Sequence, residues 1–384
     1  MAGTPFRLLF WTSLAGCATA CSAAPPATGA PPVTGVLLTT GEAGASRASG
    51  TFVIGDQHHR VYTNLNISTK SGDCIRIEHS TDITIRRSQV GPCGGNGVSV
   101  SGGRFVRIYD SYIHPETRSK GCCDRNDGLL LENVSNVTVT GSVIAYGESN
   151  VEAPLGVDDL SITGNFLLNP RGPFPRGQSV QIWNARRIIV RNNYTLSSSN
   201  ARRYLYPDDQ EDSINFGLGT SFKAEDNYVT GGESPSGCGI IADDGANQVE
   251  MLDNVLVDTG ACGIGIASGA RQIVDRNRVV NRNPVKGGGN TAIYAWNQYR
   301  SVACGPVRFA YNVAAEVRRD GTQSGFWDGG GCGPVAKKNN VWNEPAYKQL
   351  TPVREKLPPP EIPPQPKSCV IESPYSTQTK WPRC

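Results

Sequence analysis

The chain has 384 residues, 44 of them Gly and 26 Pro, with 18% charged residues and a formal net charge of +3 at pH 7. So small a charge argues against nucleic-acid binding, and the many turn-forming residues indicate an all-β chain with many turns. The length would allow two or three ordinary domains, whereas a repeating architecture would use it as one continuous core.

Residues 1–16 have the features of an export signal, with one positive charge, a short apolar stretch and small residues before Cys17. The four residues that end at Cys17 resemble a bacterial lipobox, which predicts a lipid anchor and a periplasmic or cell-surface location. Ala18-Thr19-Ala20 is an alternative cleavage site that would release a soluble, extracellular protein. Residues 17–50, rich in Ala, Pro, Gly and Thr, are interpreted as a flexible tether.

Three short apolar runs separated by polar turns repeat along residues 51–345, most clearly over 128–146 (GLLLENVSNVTVTGSVIAY). Asn or Ser recurs just before the third run, mostly every 23 to 28 residues. Its positions are 64, 88, 111, 142, 165, 193, 227, 254, 277, 312 and 340. This period predicts a solenoid of parallel strands. We expect the recurring Asn to adopt the left-handed backbone conformation and its amide to bond to the next coil, forming a ladder.

The periodicity resembles that of the right-handed parallel β-helix proteins of the pectin-lyase-like superfamily over about residues 50–345. The resemblance implies an all-β, single-stranded, right-handed parallel β-helix of about ten to eleven coils. The segments 72–75 (GDCI), 82–85 (DITI) and 95–100 (GNGVSV) are similar to the polygalacturonase sequence GDDCI, NITI, GHGISI. The second Asp and the His of that pattern are missing here, so the polygalacturonase mechanism is not carried over.

Twelve Cys fit an exported, disulfide-bonded protein. Cys238 and Cys262 occupy the same place in successive coils, and neighbouring strands about 4.8 Å apart suit a disulfide. Further predicted pairs are Cys304 with Cys332 and Cys369 with Cys384. With Cys17 and Cys21 set aside, the remaining Cys74, Cys93, Cys122 and Cys123 are expected to form two more pairs, with the connectivity left open.

Four long connections, 114–127, 169–178, 197–212 and 281–290, all fall between a third strand and the next first strand. They are therefore predicted to wall a groove along the first sheet, and insertions on one face commonly mark a binding face. Arg side chains in these connections and aromatic side chains on the sheet predict an extended acidic, uronate-containing polysaccharide as ligand. The predicted substrate-binding residues are Arg76, Glu78, Gln181, Trp183, Arg203, Asp243, Tyr294, Trp296 and Trp327. A monomer is expected.

A polysaccharide lyase that acts by β-elimination is the leading functional prediction. That reaction needs a base for the C5 proton and neutralisation of the uronate carboxylate. The connection before Leu129 supplies Lys120 as base and Arg125 for the carboxylate, and Glu132 follows on the next strand. Asp124, Asp127 and Glu132 are also the kinds of ligand that Ca²⁺ prefers, so calcium is the one cofactor considered.

Two alternatives stay open. A polygalacturonase-like glycoside hydrolase would use Glu78 and Glu132, two coils and hence about 9.6 Å apart, at the outer limit of the roughly 6.5–9.5 Å seen in inverting enzymes. Asp243 with Asp244 is a second acidic pair. A non-catalytic polysaccharide-binding or cell-envelope protein would use the same groove. The Pro-rich tail, 346–384, is interpreted as a polyproline segment that either lies back on the β-helix or acts as a spacer.

Overall fold

The computed structural model describes residues 46–48, 50–115, 126–172, 177–197, 210–232, 234–299 and 301–350. Three parallel sheets build the fold, and each turn of the chain adds one strand to each sheet. Strands pair with the equivalent strands one turn before and after, as Ile75 does with Val98 and Val98 with Leu129. The chain is therefore a right-handed parallel β-helix, which confirms the predicted fold class.

The strands are grouped here by sheet, in chain order. The first sheet contains Phe52–Gly55, Ile75–Glu78, Val98–Ser101, Leu129–Glu132, Val151–Leu155, Val180–Ile182, Ile214–Phe216, Cys238–Ala242, Cys262–Ile266, Thr291–Trp296 and Phe326–Gly330. The second contains His58–Thr63, Thr81–Arg86, Arg104–Tyr109, Ser135–Thr140, Val157–Thr163, Ala185–Arg191, Gly219–Glu225, Ala246–Leu252, Gln272–Asp275, Val307–Ala310 and Val335–Lys338. The third contains Ser46–Ala48, Leu65–Ile67, Gln89–Val90, Tyr112–Ile113, Val143–Ala145, Phe166–Leu168, Tyr194–Ser197, Tyr228–Gly231, Val255–Val257, Arg278–Asn281, Val313–Glu316 and Val341–Trp342.

The core lies between the three sheets because side chains alternate in direction along each strand. In Ile75–Glu78, for example, both Ile side chains are fully buried, whereas Arg76 is exposed and Glu78 half-buried. The same inward position is apolar in successive coils, as with Ile77 and Val100. The outward positions of the first sheet are consequently not needed for the core and are available for function.

Side-chain ladders hold the turn before the third sheet. The main-chain N–H and the side-chain amide of Asn165 both donate to Asn193 Oδ1, at 2.9 and 3.1 Å. The same two bonds continue through Asn227, Asn254, Asn277, Asn312 and Asn340. Ser88, Ser111 and Ser142 begin the column with their hydroxyls. The predicted ladder is confirmed.

The predicted left-handed conformation falls one residue earlier than expected. Positive φ angles occur at Asn192, Asp226 and Asp253, each just before a ladder Asn. The physical reason is that the preceding residue makes the turn, which leaves the ladder side chain pointing inward along the column. Asn64, with a φ of 57°, occupies this turn position, and Leu65 takes its place in the ladder column.

Disulfides join neighbouring coils as predicted for Cys238–Cys262 and Cys304–Cys332, whose Cα atoms are 4.5 and 4.4 Å apart. Cys74 pairs with Cys93, which settles one open connectivity. Cys122, Cys123, Cys369 and Cys384 lie outside the described residues.

Both ends of the fold differ from the predicted limits of 51–345. The third sheet begins with Ser46–Ala48, inside the segment interpreted as a tether. An α-helix, Asn343–Leu350, follows the last strand and packs Leu350 against Val257 and Val280 on the third sheet. Among the residues that the structure describes, no helix has the length and apolar character needed to span a membrane.

Candidate functional site

The outward face of the first sheet carries an aligned row of side chains, one from each coil. The register gives this row as Val53, Arg76, Ser99, Leu130, Glu152, Gln181, Asn215, Ile241, Gly265, Tyr294 and Trp327. The described substrate-binding residues of the sequence prediction lie on or beside this row. They fall into two groups, because Leu130 and Ile241 are four pairings, or about 19 Å, apart.

The first group lines a pocket of about 430 Å³, called here the N-terminal pocket. Its polar lining includes Asp73, Arg76, Glu78, Ser99, Ser101, Asn126 and Glu132. Glu78 and Glu132 both pair with Ser101, which confirms that they are two coils apart on the same face. Arg76 Nε lies 3.0 Å from Glu78 Oε1, so the ion pair neutralises part of the acidic charge.

Asp127 has a structural position in the turn before the first sheet. Its side chain is fully buried, and its Oδ1 accepts a hydrogen bond from the Ser149 N–H at 2.9 Å. Its own N–H donates to Asn96 Oδ1 at 2.8 Å. Asp127 is therefore a rung in a second ladder, a role that the sequence analysis did not foresee.

The other residues of the predicted lyase centre, Lys120, Asp124 and Arg125, lie outside the described residues, as does Arg203. Within the described ranges, no group of three or more His, Cys, Asp or Glu side chains is arranged to hold a metal ion. The calcium site, which depends partly on Asp124, stays a prediction.

The second group surrounds two aspartates on adjacent coils and is called here the acid–aromatic site: Asp212, Asn215, Asp243, Tyr294 and Tyr299, with Trp183 and Trp296 on either side. Asp212 is buried, and its two carboxylate oxygens accept hydrogen bonds from the Asn215 amide at 2.8 Å and the Cys238 N–H at 2.7 Å. Interactions with the Tyr299 hydroxyl and with Asn215 lower the pKa of Asp243. Asn215 therefore interacts with both carboxylates.

Burial and mutual repulsion keep a proton at this pair. Burial, followed by the nearby charge of Asp243, raises the pKa of Asp212 to about 7. Burial also raises the pKa of Asp243, against the opposing effect of the Tyr299 hydrogen bond. Asp244, half-buried at the end of the same strand, has its pKa raised by burial. Two interacting carboxylates with raised pKa values can exchange a proton near neutral pH, which is what acid–base catalysis requires.

Glycines on the sheet make room for the aromatic rings. A Cβ on Gly217 would lie 2.1 Å from the Trp183 ring, and one on Gly329 would lie 2.6 Å from the Trp296 ring. A Cβ on Gly265 would meet the Tyr294 ring at 2.8 Å. The rings therefore lie flat on the neighbouring backbone, where they form platforms beside the acidic pair.

Exposure distinguishes the groups that a ligand can reach from those that support them. Gln181 and Tyr294, both predicted to bind substrate, are 8% and 7% exposed, and Asp212 is 3% exposed. The half-buried side chains are Trp183, Asp243, Trp296 and Tyr299, and Trp327 is 38% exposed. Trp327 also packs at 5.7 Å, ring centre to ring centre, from Trp296. A ligand on this surface would contact Asp243 and the aromatic rings, with Asp212 beneath.

Two members of the acid–aromatic site were missed by sequence reasoning. Asp212 lies at the end of the long 197–212 connection, just before strand Ile214–Phe216. Tyr299 lies in residues 297–306, an unusually long connection between the first and second sheets. The signal for Tyr299 was this insertion, which enters the site from the opposite edge of the sheet to the four long connections considered.

No family model and no curated protein sequence matches the chain. Among solved structures it is similar to an alginate lyase from Paenibacillus sp. str. FPU-7, with a TM-score of 0.48 and 11% identity over 75% of this chain and 99% of that one. It is also similar to PfbA, a surface adhesin of Streptococcus pneumoniae, with a TM-score of 0.47 and 8% identity over 74% of this chain and 71% of that one. The third similar structure is DFA-IIIase from Arthrobacter chlorophenolicus A6 without its lid. Its TM-score is 0.34, with 15% identity over 72% of this chain and 55% of that one. Similarity at this level transfers no function, and membership of the pectin-lyase-like superfamily stays a prediction.

Proposed function

We propose that the protein is a carbohydrate-active enzyme that hydrolyses glycosidic bonds at the acid–aromatic site. The observation that carries this proposal is the acidic group on adjacent coils of the first sheet, in which the half-buried Asp243 and Asp244 lie at one strand end and the buried Asp212 interacts electrostatically with Asp243. The flat rings of Trp183 and Trp296 on either side suit the apolar faces of sugar rings. An acidic pair between aromatic platforms is the arrangement that glycoside hydrolysis needs.

The accessible carboxyl, Asp243, is assigned as the general acid. It donates its proton to the glycosidic oxygen as the C1–O bond breaks, and a water molecule supplies the new hydroxyl at C1. Asp244, the other half-buried carboxylate at this strand end, accepts the proton of that water. Asp212 is a positioning residue, because it is buried and accepts a hydrogen bond at 2.8 Å from the amide of Asn215, which also interacts with Asp243.

β-Elimination on an acidic polysaccharide is the second candidate function. It is favoured by Arg76, which lies in the N-terminal pocket with Glu132. The connection that carries Lys120 and Arg125 also contains Asn126, another residue of this pocket. In this case the base and the carboxylate-binding group would come from that connection, and the pocket would be the active site.

Product analysis distinguishes the two reactions. The purified protein is incubated with neutral β-glucan, mannan and fructan polymers and with polygalacturonate and alginate, each with and without Ca²⁺. We expect new reducing ends, or for fructan new ketose ends, without absorbance from unsaturated uronates. Unsaturated-uronate absorbance that rises with the new ends would support the lyase and contradict our assignment. Binding without new ends would indicate a non-catalytic polysaccharide-binding protein.

An extracytoplasmic location fits the three disulfides, which are typical of oxidising compartments. Export through residues 1–16 and a lipid anchor on Cys17 are part of this proposal. Both place the enzyme where polymeric saccharides are found.

A further inference from the structure

The N-terminal pocket is too far from the acid–aromatic site to take part in the same bond cleavage. Leu130, which lines the pocket, and Ile241 are four pairings apart on the sheet, or about 19 Å. That distance exceeds the reach of any side chain at either end. The volume of about 430 Å³ nevertheless lies within the range of about 300–1,000 Å³ that is typical of ligand pockets.

Short side chains create the pocket on an otherwise filled face. Ser99 and Ser101 stand in the row between the longer Arg76 and Glu78 on one side and the Leu130 strand on the other. Asp73 fixes this floor, because its Oδ2 accepts the Ser99 hydroxyl proton at 2.6 Å and its Oδ1 accepts the Asn96 N–H at 2.8 Å. The pocket is thus held by its own hydrogen bonds.

The chemistry of the lining selects hydroxyl groups. Arg76 and Glu78 present a donor and an acceptor side by side, and Glu132 adds acceptor oxygens from the next strand but one. Charge-assisted hydrogen bonds of this kind are well suited to sugar hydroxyls. Arg76, the guanidinium among the described lining residues, already pairs with Glu78 at 3.0 Å, so it is less available to an anionic ligand.

We propose that the N-terminal pocket is a second, non-catalytic binding site for a neutral saccharide, on the same face as the acid–aromatic site. Both sites lie along one aligned row, so an extended polymer that runs along the first sheet would contact both. The second site would then raise polymer affinity through effective concentration. The role of the pocket as an accessory site rests on the proposed function, but its occupation by a saccharide can be measured independently.

The test counts binding sites by equilibrium dialysis with radiolabelled cellotriose, laminaritriose, mannotriose and trigalacturonate, which are shorter than the separation of about 19 Å. Asp243→Asn is used as background so that a bound sugar stays intact. We expect two equivalents of a neutral trisaccharide per chain, and one after Ser101→Trp, which fills the pocket. Thr84→Trp, an outward substitution on the second sheet, is the matched control and should retain two.

Glu132→Gln provides a second variant, should Ser101→Trp disturb folding, and is expected to weaken the same class of sites at least fivefold. The proposal would be overturned if every variant bound one equivalent of trisaccharide, or if Ser101→Trp and Thr84→Trp bound the same number of equivalents. Binding of trigalacturonate but of no neutral trisaccharide would also overturn it. If Asp243→Asn still cleaves the polymer but binds two equivalents of trisaccharide, the proposed function is wrong and the saccharide site in the N-terminal pocket is supported.

Discussion

Replacing Asp243 with Asn is expected to lower kcat for saccharide hydrolysis by about 10²–10⁴-fold, the usual contribution of a general acid. The amide has the shape of the carboxyl but no proton to donate to the leaving oxygen. Its oxygen can still interact with the Tyr299 hydroxyl, as the Asp243 carboxyl does in the wild type. Substrate affinity should therefore change much less than kcat. Steady-state kinetics with the polymer that gives new chain ends in the product analysis measures both quantities.

Asp226→Asn is the matched control for this substitution. Asp226 is exposed at a turn between the second and third sheets and has a φ of 55°, a conformation that Asn tolerates well. It loses the same charge far from the acid–aromatic site, so kcat should stay within about twofold of the wild type. Similar kcat values for Asp243→Asn and the wild type would remove Asp243 from the chemistry.

The stability of the wild type is expected to fall as pH rises from about 4 to about 7, and Asp212→Asn should remove part of this fall, because the raised pKa values of Asp243, Asp244 and Glu316 contribute the rest. The unfolded chain releases the Asp212 proton near pH 3.9. The folded chain holds it up to a pKa of about 7, because burial and Asp243 disfavour the charge. Between these values the native state binds more protons than the unfolded state, so the free energy of unfolding decreases with rising pH. The decrease should be on the order of a few kcal/mol.

The substituted amide at position 212 can keep the local hydrogen bonds. Asn215 Oδ1 has no partner among the described residues, so its amide group can rotate to accept a bond from the new side chain. Chemical denaturation at pH 4, 5.5, 7 and 8 gives the comparison, with Asp226→Asn expected to follow the wild type. A fall of equal size in Asp212→Asn would show that another group is responsible. Asp243, whose pKa is also raised, contributes with the same sign.

The repeat could be predicted from sequence because its determinants are local and recur in every coil. The Asn ladder and two of the disulfides follow from one register, and each coil repeats the information. The left-handed residue lies one position before the ladder Asn, which the local pattern alone does not reveal. The sequence marks a turn, but the column to which a side chain belongs depends on its bonds to the next coil, as for Asn64 and Leu65.

The acid–aromatic site depends on contacts between coils that no local pattern reveals. Asp212 precedes its strand, and Tyr299 enters from a connection on the other edge of the first sheet. Asp243 and the aromatic residues could be placed on the outward face by alternation alone. Their relation to Asp212 depends on where two connections meet the first sheet, which the repeat pattern does not fix. The burial of Gln181 and Tyr294 likewise depends on what covers the sheet, whereas alternation gives only direction.

The position of a bound oligosaccharide tests the central claim most directly. Crystals of Asp243→Asn soaked with an oligosaccharide of the cleaved polymer should show a glycosidic oxygen within hydrogen-bond distance of the substituted side chain. The sugar rings on either side should contact the Trp183 and Trp296 rings. The claim that hydrolysis takes place at the acid–aromatic site would be contradicted if this site were empty and an intact ligand were bound only in the N-terminal pocket or on another sheet.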